Sequence, residues 1–182
     1  MLIMTDSEPP VDSASGGLTA IELGRLTATA FHEAGHAVMA LSLGRTVGKV
    51  TIEPSKSQFG GARLGMCHVD KERYKSSKTW LEDEVMILLA GMVAESLVTD
   101  QYCQQGAAQD LQSARRLMET RIKTERQLQR LEKRMLNKTE HLLSEAAEQK
   151  AVQVIARELL RKKTITGRAA KHFYNQAQQQ QA

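Results

Sequence analysis

The sequence predicts a mainly α-helical domain with a small β element, and three observations predict it. Aromatic residues make up 4% of the 182 residues, so a core has to be built from Leu, Ile, Val, Met and Ala, which suits helices packed on helices better than a β-sandwich. Long segments carry helix-start signals followed by helical periodicity. Strand character is confined to two short segments, 47–54 and 62–69. Hydrophobic residues at 41% and charged residues at 25% are ordinary for a globular chain. The length suits one domain, or one domain with a helical appendage.

Residues 5–17, "TDSEPPVDSASGG", are polar and rich in Pro, Gly and Ser, and 1–18 is predicted to be a disordered arm. Thr19 followed by Glu22 forms a capping box, which starts a helix that runs to Gly44, a natural residue just past a helix end. "VGKVTIEP" (47–54) reads as a strand ended by Pro54, and "ARLGMCHV" (62–69) as a second one. Gly65 weakens a central strand, so the second strand is expected at an edge or at a close backbone approach. A helix beginning near Ser77 or Thr79, with Thr79 and Glu82 as a capping box, runs to about Val98. It is apolar nearly all round from Val85 and is expected to be buried. A long charged helix follows from Ala107 to about Leu136, then another over 138–163. Leu142, Ala146, Val152, Ile155 and Leu159 mark the buried side of that second helix. Thr166 caps a last short helix, and the Gln-rich tail, 176–182, is expected to be frayed.

Charge and cysteine usage narrow the functional classes. The formal net charge is +4, and although Lys and Arg are densest between Arg115 and Lys163, Glu residues are interleaved there. This reads as a solvated helix face, and no nucleic-acid partner is expected. Cys67 and Cys103 show no paired-thiol spacing, which points to reduced thiols and a cytoplasmic location. The N-terminus lacks the pattern of a signal peptide, and the longest apolar stretch, "VMILLAGMVA" (85–94), is too short to cross a bilayer. No membrane association is expected.

The chemistry is concentrated in "FHEAGHAVMA" (31–40). His32 and His36 are four residues apart on a helix and point the same way, one turn apart. Two such imidazoles can bind one Zn²⁺ at about 2.0–2.1 Å each. Glu33 projects from the adjacent face, where it can act as general base toward a water: the H-E-x-x-H arrangement. Gly35 lacks a Cβ, so another backbone or a substrate can approach closely. A structural zinc site normally recruits cysteines and four protein ligands, and neither cysteine is placed to partner the pair. A catalytic zinc needs a third protein ligand, and no H-x-x-G-x-x-H extension follows His36. Three residues are candidates: Glu95 in the apolar helix, Asp110 in "QQGAAQDLQSARRLM", and His68 on the second strand. Spacing alone does not choose among them.

Several motifs, in order, resemble the peptidase domain of the FtsH-type proteases, peptidase family M41. "TATAFHEAGHAVMA" resembles that family's zinc-binding helix, and "VGKVTIEPSKSQFGGARLGMCHV" its strand, loop and Leu-Gly edge segment. "LLAGMVAESLV" is similar to its Gly-Gly-Arg-x-Ala-Glu-Glu helix, and "GAAQDLQSA" to its Gly-Ala-x-x-Asp segment. "LLRKKTITGRAA" is similar to the Thr-Ile/Leu-x-Gly stretch near that domain's end. The resemblance spans roughly residues 25–175 and implies a peptidase domain over 19–175. It implies that His32, His36 and Asp110 bind zinc and that Glu33 polarises the water. Glu95 then accepts a hydrogen bond from a ligand imidazole. Leu64, Gly65, Met66, Cys67 and His68 form an edge strand that holds an extended polypeptide substrate.

The departures from the family are also informative. Its members carry an ATPase module and usually membrane segments, whereas this sequence has no G-x-x-x-x-G-K-[ST] motif. The glycine pair is Ala90-Gly91, Met92 stands in place of the arginine, and the region after Asp110 is shorter and more charged. The expectation is a zinc metalloendopeptidase acting on unfolded or flexible polypeptides, independent of ATP by itself. A homo-oligomer and a separate ATPase partner are the further partners the resemblance suggests. The alternative is a zinc-stabilised binding or regulatory module with little turnover.

Overall fold

The computed structural model describes residues 18–56, 62–63, 65–69 and 79–181. The predicted N-terminal arm up to residue 17, Leu64 and Ser77 lie outside them. The fold is mainly helical, as expected: α1 (Ala20–Ser42), α2 (Trp80–Thr99), α3 (Ala108–Glu119), α4 (Glu125–Ser144), α5 (Ala146–Lys162) and α6 (Gly167–Gln181). Among the described residues its β element has five short strands: β1 (Val47–Thr51), β2 (Ser55–Lys56), β3 (Ala62–Arg63), β4 (Met66–Val69) and β5 (Thr164–Thr166).

The capping box that starts α1 is complete. Thr19 Oγ1 accepts from the Glu22 amide at 3.2 Å, and the Thr19 amide donates to Glu22 Oε2 at 2.8 Å. The helix ends at Leu43, and Gly44 follows with φ +73°, a left-handed conformation that glycine adopts without steric cost. Between Ala30 and Ala40 every residue except Phe31 is buried. This stretch therefore passes through the core rather than lying on it, and it packs most extensively on α2. Gly35 makes that packing possible, because a Cβ there would lie 2.4 Å from Ala90 O and 2.5 Å from the Ala94 Cβ.

The main core joins α1, β1, α2, α5 and α6 through Val38, Met39, Val50, Val93, Val152, Ile155, Leu159 and Ala170. A second, smaller core joins α2 to α3 and α4 through Leu81, Val85, Leu89, Met118, Leu128 and Met135. This second core fixes α3, and with it Asp110, against α2. No described helix is long and apolar enough to cross a membrane.

Several expectations need correction. Thr79 precedes α2 in helical conformation and makes no capping hydrogen bond, so the Thr79–Glu82 capping box does not form. The charged helix expected from 107 to 136 is two helices, broken over 120–124. Thr124 is extended there, and the break folds α4 back so that Leu128 meets Met118 in the second core. Arg115 spans the break with ion pairs to Glu119, Glu125 and Glu132. The next break falls at Glu145, with φ −61° and ψ 138°, rather than near residue 137. Thr166 Oγ1 does accept from the Ala169 amide at 3.3 Å, but α6 is not short. It continues through the glutamines to Gln181, anchored by buried Ala170 and Ala177.

The expected strand over 62–69 is two strands. β3 pairs with β2, and β4 pairs with β1 in the register Val50↔Cys67 and Thr51↔Met66. Gly65 lies between them, where a weak strand former interrupts pairing. The three-stranded antiparallel sheet has the order β4-β1-β5, which leaves β4 at an edge, as Gly65 suggested. β5 was not foreseen, because three residues between two helices are too few for a periodic signal.

Candidate metal centre

His32 and His36 leave α1 on the face covered by α2, and Asp110 comes from the first turn of α3. The three converge. His32 Nε2 lies 3.2 Å and His36 Nε2 3.4 Å from Asp110 Oδ2, and all three ligand atoms fall within 4.8 Å of one another. The imidazoles stand edge to face, with ring centroids 4.7 Å apart and an interplanar angle of 79°.

The far side of each ring is tied down. His36 Nδ1–H donates to the Ile87 carbonyl at 2.7 Å, and His32 Nδ1–H donates to Glu95 Oε2 at 3.0 Å. A neutral imidazole carries one N–H. With that proton on Nδ1, the neutral form of each ring would turn an Nε2 lone pair toward the same point, which is how outer partners orient metal-binding histidines.

Electrostatics and space both fit a dication. Burial works against a charged His32, but hydrogen bonds to Asp110 and Glu95 and the charges of Glu33 and Asp110 outweigh it, and its pKa rises to about 10. Burial would likewise raise Asp110, yet its hydrogen bonds to His32 and His36 hold the carboxyl well below the usual carboxylate range. Asp110 in the cluster, with Glu33 and Glu95 beside it, gives a surplus of acidic groups around the two imidazoles that suits a cation. Gly91 on α2 provides the room. A Cβ at this position would lie 2.5 Å from His36 Nε2, 2.6 Å from His32 Nε2 and 2.7 Å from His32 Cδ2. The space in front of both Nε2 atoms is open because residue 91 has no side chain. Two nitrogens and one carboxylate oxygen are also a donor set that Zn²⁺ accepts.

Glu33 is buried, 7% exposed, and its carboxyl faces the start of β4 rather than joining the cluster. Glu95 also lies apart from the converging atoms, behind His32. His68 is exposed on the edge strand and is not in the cluster. Cys67 packs on the main core, where burial first and the nearby Glu33 charge second push its thiol pKa up. A cleft of about 1600 Å³ opens onto the cluster, lined by Glu33 and Asp110 on one side and by Ile52, Pro54, Gly65, Met66 and His68 on another. The sequence motifs named the converging trio but not Gly91 or the Ile87 carbonyl. The available signal for Gly91 was a glycine inside an otherwise strongly apolar helix, a choice that costs about 1 kcal/mol against Ala.

Residues 21–124, which carry all of these side chains, match the model of peptidase family M41. The chain belongs to that family. The matched segment runs from the start of α1 to the turn before α4, so α4, α5 and α6 lie beyond it. Curated relatives include proteins named ATP-dependent zinc metalloprotease FtsH. That of Magnetococcus marinus is 44% identical over 88 residues, covering 47% of this chain and 12% of its own length. One from a Thermoanaerobacter strain is 44% identical over 87 residues, 47% of this chain and 14% of its own. One from Pirellula staleyi is 40% identical over 90 residues, 47% of this chain and 12% of its own. The chain thus spans a small fraction of the length of the relatives it matches.

Proposed function

We propose that this M41 member is a zinc metalloendopeptidase that hydrolyses peptide bonds in unfolded or flexible polypeptides and needs no ATP of its own. The observation that supports this most is the convergence of His32 Nε2, His36 Nε2 and Asp110 Oδ2 with each histidine's Nδ1 tied to a fixed acceptor. In this reading those three side chains hold Zn²⁺, and Glu95 orients His32. Bound zinc supplies Lewis acidity toward a carbonyl oxygen and toward water. The Glu33 carboxylate takes the proton of the attacking water and returns it to the leaving amine. β4 sits at the sheet edge beside the cleft, and an extended segment can add to it as a further strand. Gly65, Met66, Cys67 and His68 then contribute backbone, with Leu64 just before them. Cys67 lines the cleft but also packs on the main core, so in this reading the side chains of Met66 and His68 are the freer ones to meet substrate.

The relatives are named ATP-dependent, and the sequence has no G-x-x-x-x-G-K-[ST] motif. An ATPase acting with this domain, and a homo-oligomer, are therefore partner proposals rather than part of the chemistry. Hydrolysis of casein or a fluorogenic peptide without ATP, abolished by a chelator and restored by zinc, is the expected result. Stoichiometric zinc with no turnover on any unfolded substrate would favour a zinc-stabilised binding module instead.

A further inference from the structure

We propose that Gly65 is a positioning residue for the Glu33 carboxylate, and that its missing side chain is what lets the base stand where it does. The inference rests on the reading of Glu33 as general base. A Cβ built on Gly65 would lie 2.6 Å from Glu33 Oε1, 2.7 Å from Cγ and 3.0 Å from Cδ. The Glu33 side chain therefore occupies the volume that any other residue at 65 would claim.

Backbone conformation gives no competing reason for glycine. Among the described glycines Gly44 has the one positive φ, so residue 65 adopts a backbone open to other residues. Of the two walls the strand is the firmer, and the carboxyl ends a flexible side chain beside the cleft. Glu33 is 7% exposed and sits within the buried stretch of α1. Gly65 immediately precedes β4, whose register on β1 is set by Met66↔Thr51 and Cys67↔Val50. The base is thus seated between the zinc-binding helix and the first residue of the substrate-side edge, and one segment serves both.

Gly65→Ala forces either the carboxyl or the strand to move, and the carboxyl is the lighter of the two. The test compares wild type, Gly65→Ala, Glu33→Ala and Gly65→Ala/Glu33→Ala. Gly65→Ala is expected to keep its zinc while kcat falls about 100-fold, a larger change than any in KM and the scale of a general base moved by an ångström. A crystal structure of Gly65→Ala is expected to show the Glu33 carboxyl displaced, with His32, His36 and Asp110 in place. Any loss of Tm in Gly65→Ala is expected to vanish in the Glu33→Ala background, because the atoms it meets are gone. Should Gly65→Ala fail to fold, the double variant is expected to fold.

Unchanged kcat, an effect on KM alone, an unmoved Glu33 carboxyl, or an equal Tm loss in both backgrounds would overturn the proposal. So would failure of the double variant to fold. Zinc-dependent hydrolysis by the wild type stands or falls independently of these results. The crystal structure and the Tm comparison decide the role of Gly65 even if no turnover is found.

Discussion

At His32 the ring is held from both ends, Nδ1 by Glu95 and Nε2 toward Asp110. Each end makes a different prediction. Asp110→Ala removes one of three proposed ligands, and zinc affinity is expected to collapse, read by competition with a chromophoric chelator. Glu95→Gln keeps an acceptor oxygen near Nδ1 and should cost about 10–100-fold in affinity or activity, the usual range for an outer partner. A larger loss for Glu95→Gln than for Asp110→Ala would exchange their roles. Glu33→Gln should retain zinc and fold but lose hydrolysis, since an amide does not accept the water's proton. Wild-type turnover in that variant would contradict the mechanism. Gly91→Ala is the steric counterpart. Its methyl would stand 2.5 and 2.6 Å from the two Nε2 atoms, so zinc binding should fall further than for Glu95→Gln while the helix, relieved of a glycine, still forms.

At the scale of elements, the site depends on three helices meeting at small residues. Gly35 lets α1 lie on α2, Gly91 opens the contact where the histidines emerge, and the second core brings α3 alongside. Met118 on α3 is 2% exposed in that core. Met118→Ala should destabilise the protein by about 2–5 kcal/mol, by lost burial and a residual cavity. It should also weaken zinc binding, because α3 carries Asp110. Urea unfolding and chelator competition on the same variant check both; a stability loss with unchanged zinc affinity would show that α3 is placed by something else. The helices themselves were legible in the sequence wherever capping and periodicity agreed, as from Thr19 to Gly44. They were misread where one signal acted alone. Thr79 and Glu82 have capping-box spacing, yet the Thr79 backbone is already helical and its side chain does not cap. The break over 120–124 carries no Pro or Gly, because tertiary packing of α4 on α3 makes the turn.

For the whole molecule, the ordered motifs made the converging trio readable before the fold was seen. Individual spacing did not, since by spacing alone Glu95, Asp110 and His68 all remained candidates. What stayed unreadable is spatial: which carbonyl receives His36, which glycine leaves the space before the two Nε2 atoms open, and that Glu33 lies against Gly65. The contacts of His36 with Ile87, of Gly91 with both Nε2 atoms and of Glu33 with Gly65 arise between elements distant in sequence and leave no local pattern. A ligand that binds the folded state stabilises it, by about 2.7 kcal/mol at a hundred times its Kd. For a chain of this size that corresponds to a Tm increase of roughly 5–10 °C. Zinc added after chelation should produce that rise in wild type and none in His32→Ala/His36→Ala. The most direct test of the account is a zinc-edge anomalous difference map from crystals grown with zinc. The predicted result is one peak about 2.0–2.2 Å from His32 Nε2, His36 Nε2 and an Asp110 carboxylate oxygen, with Glu95 still on His32 Nδ1. No peak there, or a peak bound by Glu95 with Asp110 turned away, would contradict it.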